Sequence, residues 1–324
     1  MISRPSPIRW HNDDGVKVAA VGGGHGLAAT LSALCRLPTE LTGIVTVADN
    51  GGSSGRLRDE LVVLPPGDLR MALAALCGND DWGRTWADVL QHRFSSDGAL
   101  HGHVVGNLLI AAIWDQLGDH VAGLDLVGQL LGAQGRVLPM AAVPLNIVAD
   151  VRLRADPGEI TRINGQVAVA TVDGNVIGVH LEPSDPPACP EAVAAIDDAD
   201  WVVIGPGSWF TSVIPNLLVP GLRAALSRTS AKRILVLNLG EQEGETAGFT
   251  PENHLEVLAA HAPELKLDYV LADLAMVGQT DSLAATAKYL GAELITASIS
   301  MAPGSVQHDP VRLASAFQQI MMQV

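Results

Sequence analysis

Cysteine is scarce in this chain of 324 residues: there are three, Cys35, Cys77 and Cys189, and no two form a CxxC pair. That spacing excludes a zinc ligand set and a disulfide framework, and it fits a reducing compartment. Long apolar runs are lacking too. Leu108–Trp114 falls far short of the roughly 20 residues that cross a bilayer, so no membrane span is expected. Residues 1–15 are mostly polar, contain proline and lack the apolar core of a signal peptide. They read as a disordered tail, and the location as cytoplasmic. Basic charge is also short, with 20 Lys and Arg against 35 Asp and Glu, a net charge of −15. Such a field opposes nucleic acid and anionic lipid as partners. It does not oppose a small anion, because a local pocket of arginine and backbone N–H groups overrides it. No repeat or low-complexity segment stands out. What is present, 48% hydrophobic and 17% charged residues, is ample for a buried core.

The first half alternates strand and helix patterns. Lys17–Val21 and Leu41–Val47 read as strands, and Leu27–Leu37 has helical spacing. Further helices are expected over Asp68–Leu76, Trp82–Phe94, Val105–Leu117 and Val121–Leu131. Strands alternating with helices imply crossovers, hence an α/β fold with a Rossmann-like parallel sheet flanked by helices. Between about residues 145 and 183 the pattern changes. Ile147, Ala149, Val151 and Leu153 alternate with Val148, Asp150, Arg152 and Arg154, the period of a half-exposed strand. Val167–Val172 and Val176–Leu181 flank the turn Asp173–Gly174–Asn175, a hairpin signal. This stretch reads as a small antiparallel β insertion within one α/β domain of residues 16–324. Trp201–Ile204, Ile234–Asn238, Tyr269–Ala272 and Glu293–Ala297 resume the strand pattern. Thr250–Pro251 and Asp309–Pro310 each place a capping side chain before a proline at the first helical position.

Five loops carry the chemistry. Gly22–Gly23–Gly24–His25–Gly26 joins a strand to a helix, so its glycines let the backbone approach a ligand and aim N–H groups at an anion. A tight turn needed only for packing is the alternative. Asp49–Asn50–Gly51–Gly52–Ser53–Ser54–Gly55–Arg56 begins where the second strand ends, the rim on which open α/β sheets bind ligands. There Asp49 can accept from a ribose hydroxyl or hold a metal, Ser53 and Ser54 can cradle phosphate, and Arg56 and Arg58 supply charge-assisted bonds. Pro65–Pro66–Gly67–Asp68–Leu69–Arg70 turns into a helix, and Asp68 either caps it or contacts ligand. His101–Gly102–His103–Val104–Val105–Gly106–Asn107 opens another helix. No neighbouring Cys or carboxylate completes a metal set there, which leaves His103 or Asn107 to reach a ligand. Gly205–Pro206–Gly207–Ser208–Trp209–Phe210–Thr211–Ser212 is a further anion cradle, with hydroxyls at Ser208, Thr211 and Ser212, Asn216 close behind and Asn238 on the same rim.

In this order, GGGHG, VADNGGSSGRLRDE, PPGDLR, HGHVVGNLL and GPGSWFTSVIPNLLVPG resemble the YvcK/CofD-like family, above all its YvcK (gluconeogenesis factor, GlmR) branch, from about Lys17 to the C-terminus. The resemblance implies a Rossmann-like fold and binding of a nucleotide sugar such as UDP-N-acetylglucosamine (UDP-GlcNAc). It also implies a role in cell shape and in the supply of peptidoglycan precursors on gluconeogenic carbon. A protein partner in amino-sugar or cell-wall precursor synthesis follows from that role, and a homo-oligomer is expected. The family's enzymatic relative, the 2-phospho-L-lactate transferase, moves a phospholactyl group from a nucleotide diphosphate donor to a deazaflavin alcohol, with magnesium. Two departures matter: His25 stands where relatives often carry Thr, and Asn50 where they often carry a second acid. A lone Asp49, with at best distant help from Asp68, would hold magnesium poorly.

Three functions compete on these residues. A binding regulator needs phosphate cradles and ribose contacts, requires no cofactor or resident metal, and matches what is present. A magnesium-dependent transferase needs little beyond positioning and electrostatics. An NAD(P)-type ligand fits the cleft, but nothing marks a hydride acceptor.

Overall fold

The computed structural model describes residues 15–156, 158–242, 244–276 and 280–322; apart from Gly15, the tail expected to be disordered lies outside them. Three strands open the fold: β1 (Val16–Gly22), β2 (Thr39–Val45) and β3 (Arg136–Pro139). Helix α1 (Gly24–Leu34) joins the first two. Between β2 and β3 come α2 (Gly52–Leu61), α3 (Gly67–Ala75), α4 (Asp81–Gln91), α5 (Val105–Leu117) and α6 (His120–Leu131). Then follow β4 (Asn146–Leu153), β5 (Ile160–Asn164), a short α7 (Gln166–Ala170), β6 (Gly174–Glu182) and α8 (Pro190–Asp197). After β7 (Trp201–Ile204) a π-helical turn (Trp209–Val213) leads into α9 (Ile214–Leu218) and α10 (Pro220–Arg228). The chain ends through β8 (Lys232–Val236), α11 (Pro251–His261), β9 (Tyr269–Asp273), α12 (Thr280–Tyr289), β10 (Glu293–Ala297) and α13 (Pro310–Met321).

Seven strands form one sheet in the order β10-β9-β8-β7-β1-β2-β3, with parallel pairing throughout. The central strands read as unbroken apolar runs because helices cover both faces. Val18–Val21 of β1 and Val202–Ile204 of β7 are accordingly buried. From β1 the chain winds outward through β2 and β3, then returns to lay β7 on the other side of β1. The crevice beyond the carboxyl ends of β1 and β7 is therefore the topological switch point, where ligands bind in sheets of this kind. Among the described residues no helix is long and apolar enough to cross a membrane.

The insertion is a three-stranded antiparallel sheet in the order β5-β4-β6. The hairpin expected between Val167–Val172 and Val176–Leu181 does not form: β6 pairs with β4, and most of Val167–Val172 lies in α7. An apolar run so short fits helix or strand equally, and tertiary contacts decide. Here Gly165 at φ 94° turns the chain out of β5, and Asn50 Oδ1 accepts the Val167 N–H at 3.2 Å. Likewise Gly52–Arg56, expected as part of a loop, lies in helix α2. Its apolar content is too low to show a helical period, yet Ser53, Ser54, Gly55 and Leu57 are buried against the body. Strand β3 has four residues, too few to show any period. The two expected helix starts hold. Thr250 and Asn253 form a reciprocal capping box on α11, and Asp309 accepts from Val311 and Arg312 at the head of α13.

Helix α1 packs on the sheet through Leu27, Leu31 and Leu34, all fully buried. Leu31→Ala should lower unfolding free energy by about 2–5 kcal/mol through lost burial and a residual cavity, whereas Leu31→Met should cost under about 1.5 kcal/mol. Urea unfolding of the two variants provides the comparison.

Candidate functional site

Because the main sheet is parallel, the loops leaving β1, β2, β7 and β8 share one edge. At the switch point those of β1, β7 and β8 frame a cleft of about 810 Å³. Gly23, Gly24, His25 and Gly26 line one wall, and Pro206, Gly207, Ser208 and Ser212 line the facing one. Asp68 lies at the head of α3. Asn238–Gln242 and Met301, Val306, Gln307 and His308 complete the rim.

The two glycine-rich loops touch backbone to backbone. A Cβ on Gly26 would overlap the carbonyl oxygen of Pro206, so only glycine permits this approach. Gly23 begins α1 with no side-chain cap, and no acid occupies the first turn. Of the first amides of this 11-residue helix, that of Gly24 meets the Asp68 carboxylate, while those of His25 and Gly26 face the cleft wall at the positive end of the helix dipole. The opposite loop is held from β8. Asn238 accepts the Gly207 N–H at 3.0 Å and donates Nδ2 to the Gly207 carbonyl at 2.9 Å.

Farther along that loop the amides are already satisfied. The Trp209 N–H donates to Gln242 Oε1 at 3.2 Å and the Phe210 N–H to Glu245 Oε2 at 2.9 Å. Thr211 Oγ1 donates to Glu245 Oε1 at 2.6 Å. Burial pushes the Glu245 carboxyl up, against the pull of these bonds. Asn216 is buried as well, with Nδ2 on Thr46 Oγ1 and on the Ser212 carbonyl, both at 2.8 Å. Thr211 and Asn216 thus shape the wall from behind, as do Gly22 and Gly205, the latter accepting from Thr30 Oγ1.

Charge in the cleft is unusual for an anion site, because its lining among the described residues includes no Lys or Arg. Burial pushes His308 down to about 4, which keeps it neutral. Asp68 is half-buried, and its carboxyl is pushed up to about 7, first by burial and then by the neighbouring Asp49, with the Gly24 amide opposing. A Cβ on Gly23 would stand 2.7 Å from Asp68 Oδ2, which places the carboxylate directly against the first loop. Asp68 is not the helix cap: α3 is preceded by Pro66 without a capping side chain, and Asp68 lies inside its first turn. Asp49 Oδ1 accepts the Gly51 N–H at 2.8 Å. Asn50 turns instead toward the small sheet through Val167.

The remaining predicted residues gather outside this cleft. Ser53 Oγ lies 3.1 Å from His103 Nδ1 and accepts the Val104 N–H at 3.2 Å. Asn107 Nδ2 donates to Ser54 Oγ at 3.5 Å. Gly51 packs on Val167, and Gly52 starts α2 at φ 50°. Arg56 donates to the carbonyls of Ala99 and His101, and Arg58 to the Leu145 carbonyl and Asn146 Oδ1. Neither arginine lines the cleft. Sequence reasoning missed Leu239–Gln242, Met301, Val306 and His308, which follow β8 and β10. Their only signal is position beyond the carboxyl ends of parallel strands. It also passed over Arg70, which is buried beside Asp68.

The family profile described as 2-phospho-L-lactate transferase CofD matches residues 18–298. A Mycobacterium tuberculosis protein (strain CDC 1551 / Oshkosh) is 55% identical over 307 residues, covering 94% of this chain and 90% of its own. The gluconeogenesis factor of Bacillus subtilis (strain 168) is 39% identical over 245 residues, 76% of this chain and 74% of its own. A crystal structure of a upf0052 family protein from Bacillus halodurans superposes with a TM-score of 0.83 at 32% identity, covering 95% of this chain and all of that one.

Two outcomes test this geometry. Gly26→Ala should destabilise the protein by about 1–3 kcal/mol, the scale of overpacking. Gly22→Ala should be nearly neutral, since its new methyl would meet nothing closer than 3.5 Å. Urea unfolding of both variants would show whether the loop junction is as tight as described. For Asp68, the folded state holds its proton up to about 7 and the unfolded chain only to about 3.8. Stability from this group is therefore full below about pH 4, falls as pH rises toward 7 and is flat above. Asp68→Asn should exceed the wild type in stability at pH 8 by up to a few kcal/mol. That advantage should vanish near pH 4, and a difference independent of pH would contradict the shift.

Proposed function

Since this chain belongs to the CofD family, whose members include the gluconeogenesis factors, we propose that it binds a nucleotide diphosphate sugar of the UDP-GlcNAc type in the β1/β7 cleft and acts by binding. The observation that carries the reading is the uncapped first turn of α1, pressed by Gly26 against the Pro206 carbonyl at the switch point. There the amides of His25 and Gly26 are the donors suited to a diphosphate. A volume of about 810 Å³ suits a ligand of nucleotide-sugar size. Met301 and Val306, exposed on the far rim, offer an apolar contact for a base or sugar face. The relatives named gluconeogenesis factor support a regulatory role in carbon flow. On this reading the bound nucleotide reports precursor supply for envelope synthesis and shape, and the output is contact with another protein.

A second reading, magnesium-dependent group transfer from a nucleotide diphosphate, is favoured by one observation. Burial, and after it the neighbouring Asp49, push the Asp68 carboxyl up to about 7, so the two carboxylates are electrostatic neighbours. Paired hard oxygen donors suit magnesium, and these two side chains would hold it while the α1 amides orient the diphosphate. Bound there, the ion would neutralise charge developing on the transferred phosphoryl oxygens.

Thermal unfolding and calorimetry with UDP-GlcNAc, GDP and NAD(P), with and without magnesium, separate the readings. On the first, UDP-GlcNAc binds with micromolar affinity, about −8 kcal/mol, and magnesium changes that affinity less than about threefold, well under 1 kcal/mol. Phosphorus NMR then shows the nucleotide intact after hours. Donor consumption only in the presence of magnesium would establish the second reading. No response to any nucleotide would overturn both.

A further inference from the structure

Outside the cleft, α2, α3 and the start of α5 enclose a second polar cluster. Arg70 is 7% exposed, yet its Nε is enclosed without an acceptor, and no hydrogen bond or ion pair ties its guanidinium to any described residue. Its stem runs along the first turn of α5: a Cβ on Gly106 would stand 2.8 Å from Arg70 Cγ and 2.9 Å from Cδ. That helix, 13 residues long, has no side-chain cap and no acid in its first turn, and because the Val105 N–H donates to the His92 carbonyl and the Asn107 N–H to the Val104 carbonyl, the Gly106 amide is the one left open there among the described residues. Asn107, 2% exposed in the same turn, has Oδ1 without a donor.

The surroundings are basic and rich in donors. Arg93 Nη1 donates to the Gly102 carbonyl at 2.6 Å and Arg56 Nη2 to the His101 carbonyl at 2.8 Å, so both arginines are held on the loop that leads into α5. Among the described residues neither has a carboxylate partner. Ser53 and Ser54 bring hydroxyls to the same place through His103 and Asn107. The nearby acids, Asp49 and Asp68, lie toward the cleft. Three arginines gather around one helix start without an ion pair among the described residues, and Asp68 and Asp49 offset only part of the burial cost of Arg70, which is drawn down to about 10. A buried cation with no acceptor is costly to keep, and a bound anion removes that cost.

We infer that this cluster is a second anion site, distinct from the cleft lining, which takes a phosphate dianion on Arg70, the Gly106 amide and the Ser53 and Ser54 hydroxyls. Guanidinium, hydroxyl and helix amide donors approach from different sides, which suits a tetrahedral group better than a planar carboxylate. The phosphate is either free in solution or carried as a monoester on a small molecule.

The test is thermal unfolding and calorimetry of the whole protein with inorganic phosphate and with methyl phosphate, at constant ionic strength against chloride. Wild type should show a saturable rise in Tm. Stronger binding of methyl phosphate would identify a phosphorylated molecule as the source, and stronger binding of inorganic phosphate the free ion. Arg70→Met should lose the response at least tenfold in affinity, and in chloride alone it should be no less stable than wild type, because an unpartnered charge has been removed. A merely structural arginine would give the opposite stability result. Should Arg70→Met not fold, the exposed Arg93→Ala variant is expected to weaken phosphate binding severalfold. Phosphate stabilisation that survives in these variants would place the anion elsewhere and overturn the inference, as would a wild type that does not respond. UDP-GlcNAc binding, measured in parallel, reports on the cleft alone, so failure of one site does not count against the other.

Discussion

The site depends on a contact between two stretches of backbone. Gly26, in the first turn of α1, meets the carbonyl of Pro206 in the loop after β7, with no room for a side chain between them. Strands β1 and β7 are hydrogen-bonded neighbours, so the sheet already brings their carboxyl ends together, and glycine lets the two loops close the remaining gap. Everything else at the cleft is arranged around that junction. Asn238 holds Gly207 by both polar ends of its side chain. Gln242 and Glu245 take the amides of the following turn, and α1 has no N-cap side chain, with the Gly24 amide alone met by Asp68. Unsatisfied N–H groups at a helix start are a liability unless water or a ligand meets them, so their placement in a cleft links fold to function.

Electrostatics divide the rim in two. The cleft lining includes no Lys or Arg among its described residues and faces a carboxylate raised to about 7, so the donors it presents are amides at the positive end of a helix dipole. The arginines lie behind Asp49 and Asp68, around the start of α5. Positive and negative groups thus alternate from the glycine loop, through the two aspartates, to Arg70 and Arg93. An acidic protein can hold small anions in this way because short-range donors in a partly desolvated site outweigh a distant, screened field. The same alternation explains why burial and like-charge neighbours shift Asp68 and Arg70, drawing Arg70 down to about 10.

Much of this architecture was legible in the chain. The alternation of apolar strand runs with helical spacing established a parallel α/β sheet, and the glycine loops after β1 and β7 were readable as rim elements. The capping pairs at Thr250 and Asp309 marked two helix starts, because a cap needs only neighbours in sequence. Short or polar segments were not legible. Helix α2 is stabilised by burial of Ser53, Ser54 and Leu57, α7 by a bond from a residue 117 positions away, and β3 by its place beside β2.

For the site, sequence determined residue types, and the tertiary structure decided which of them meet. Gly23, His25, Gly26, Asp68, Gly207, Ser208, Ser212 and Asn238 share the cleft, whereas Ser53, Ser54, Arg56, His103 and Asn107 form a separate group around α5. Asn50 and Thr211, equally plausible by type, are taken up by bonds to Val167 and Glu245. Arg70 carried no motif that distinguished it from a solvated arginine. Only the packing of α3 against α5, through Gly106, left its Nε buried without an acceptor. Local chemistry follows from a few adjacent residues, but whether a polar group is satisfied depends on partners tens of residues away, and the fold alone brings those within hydrogen-bond reach.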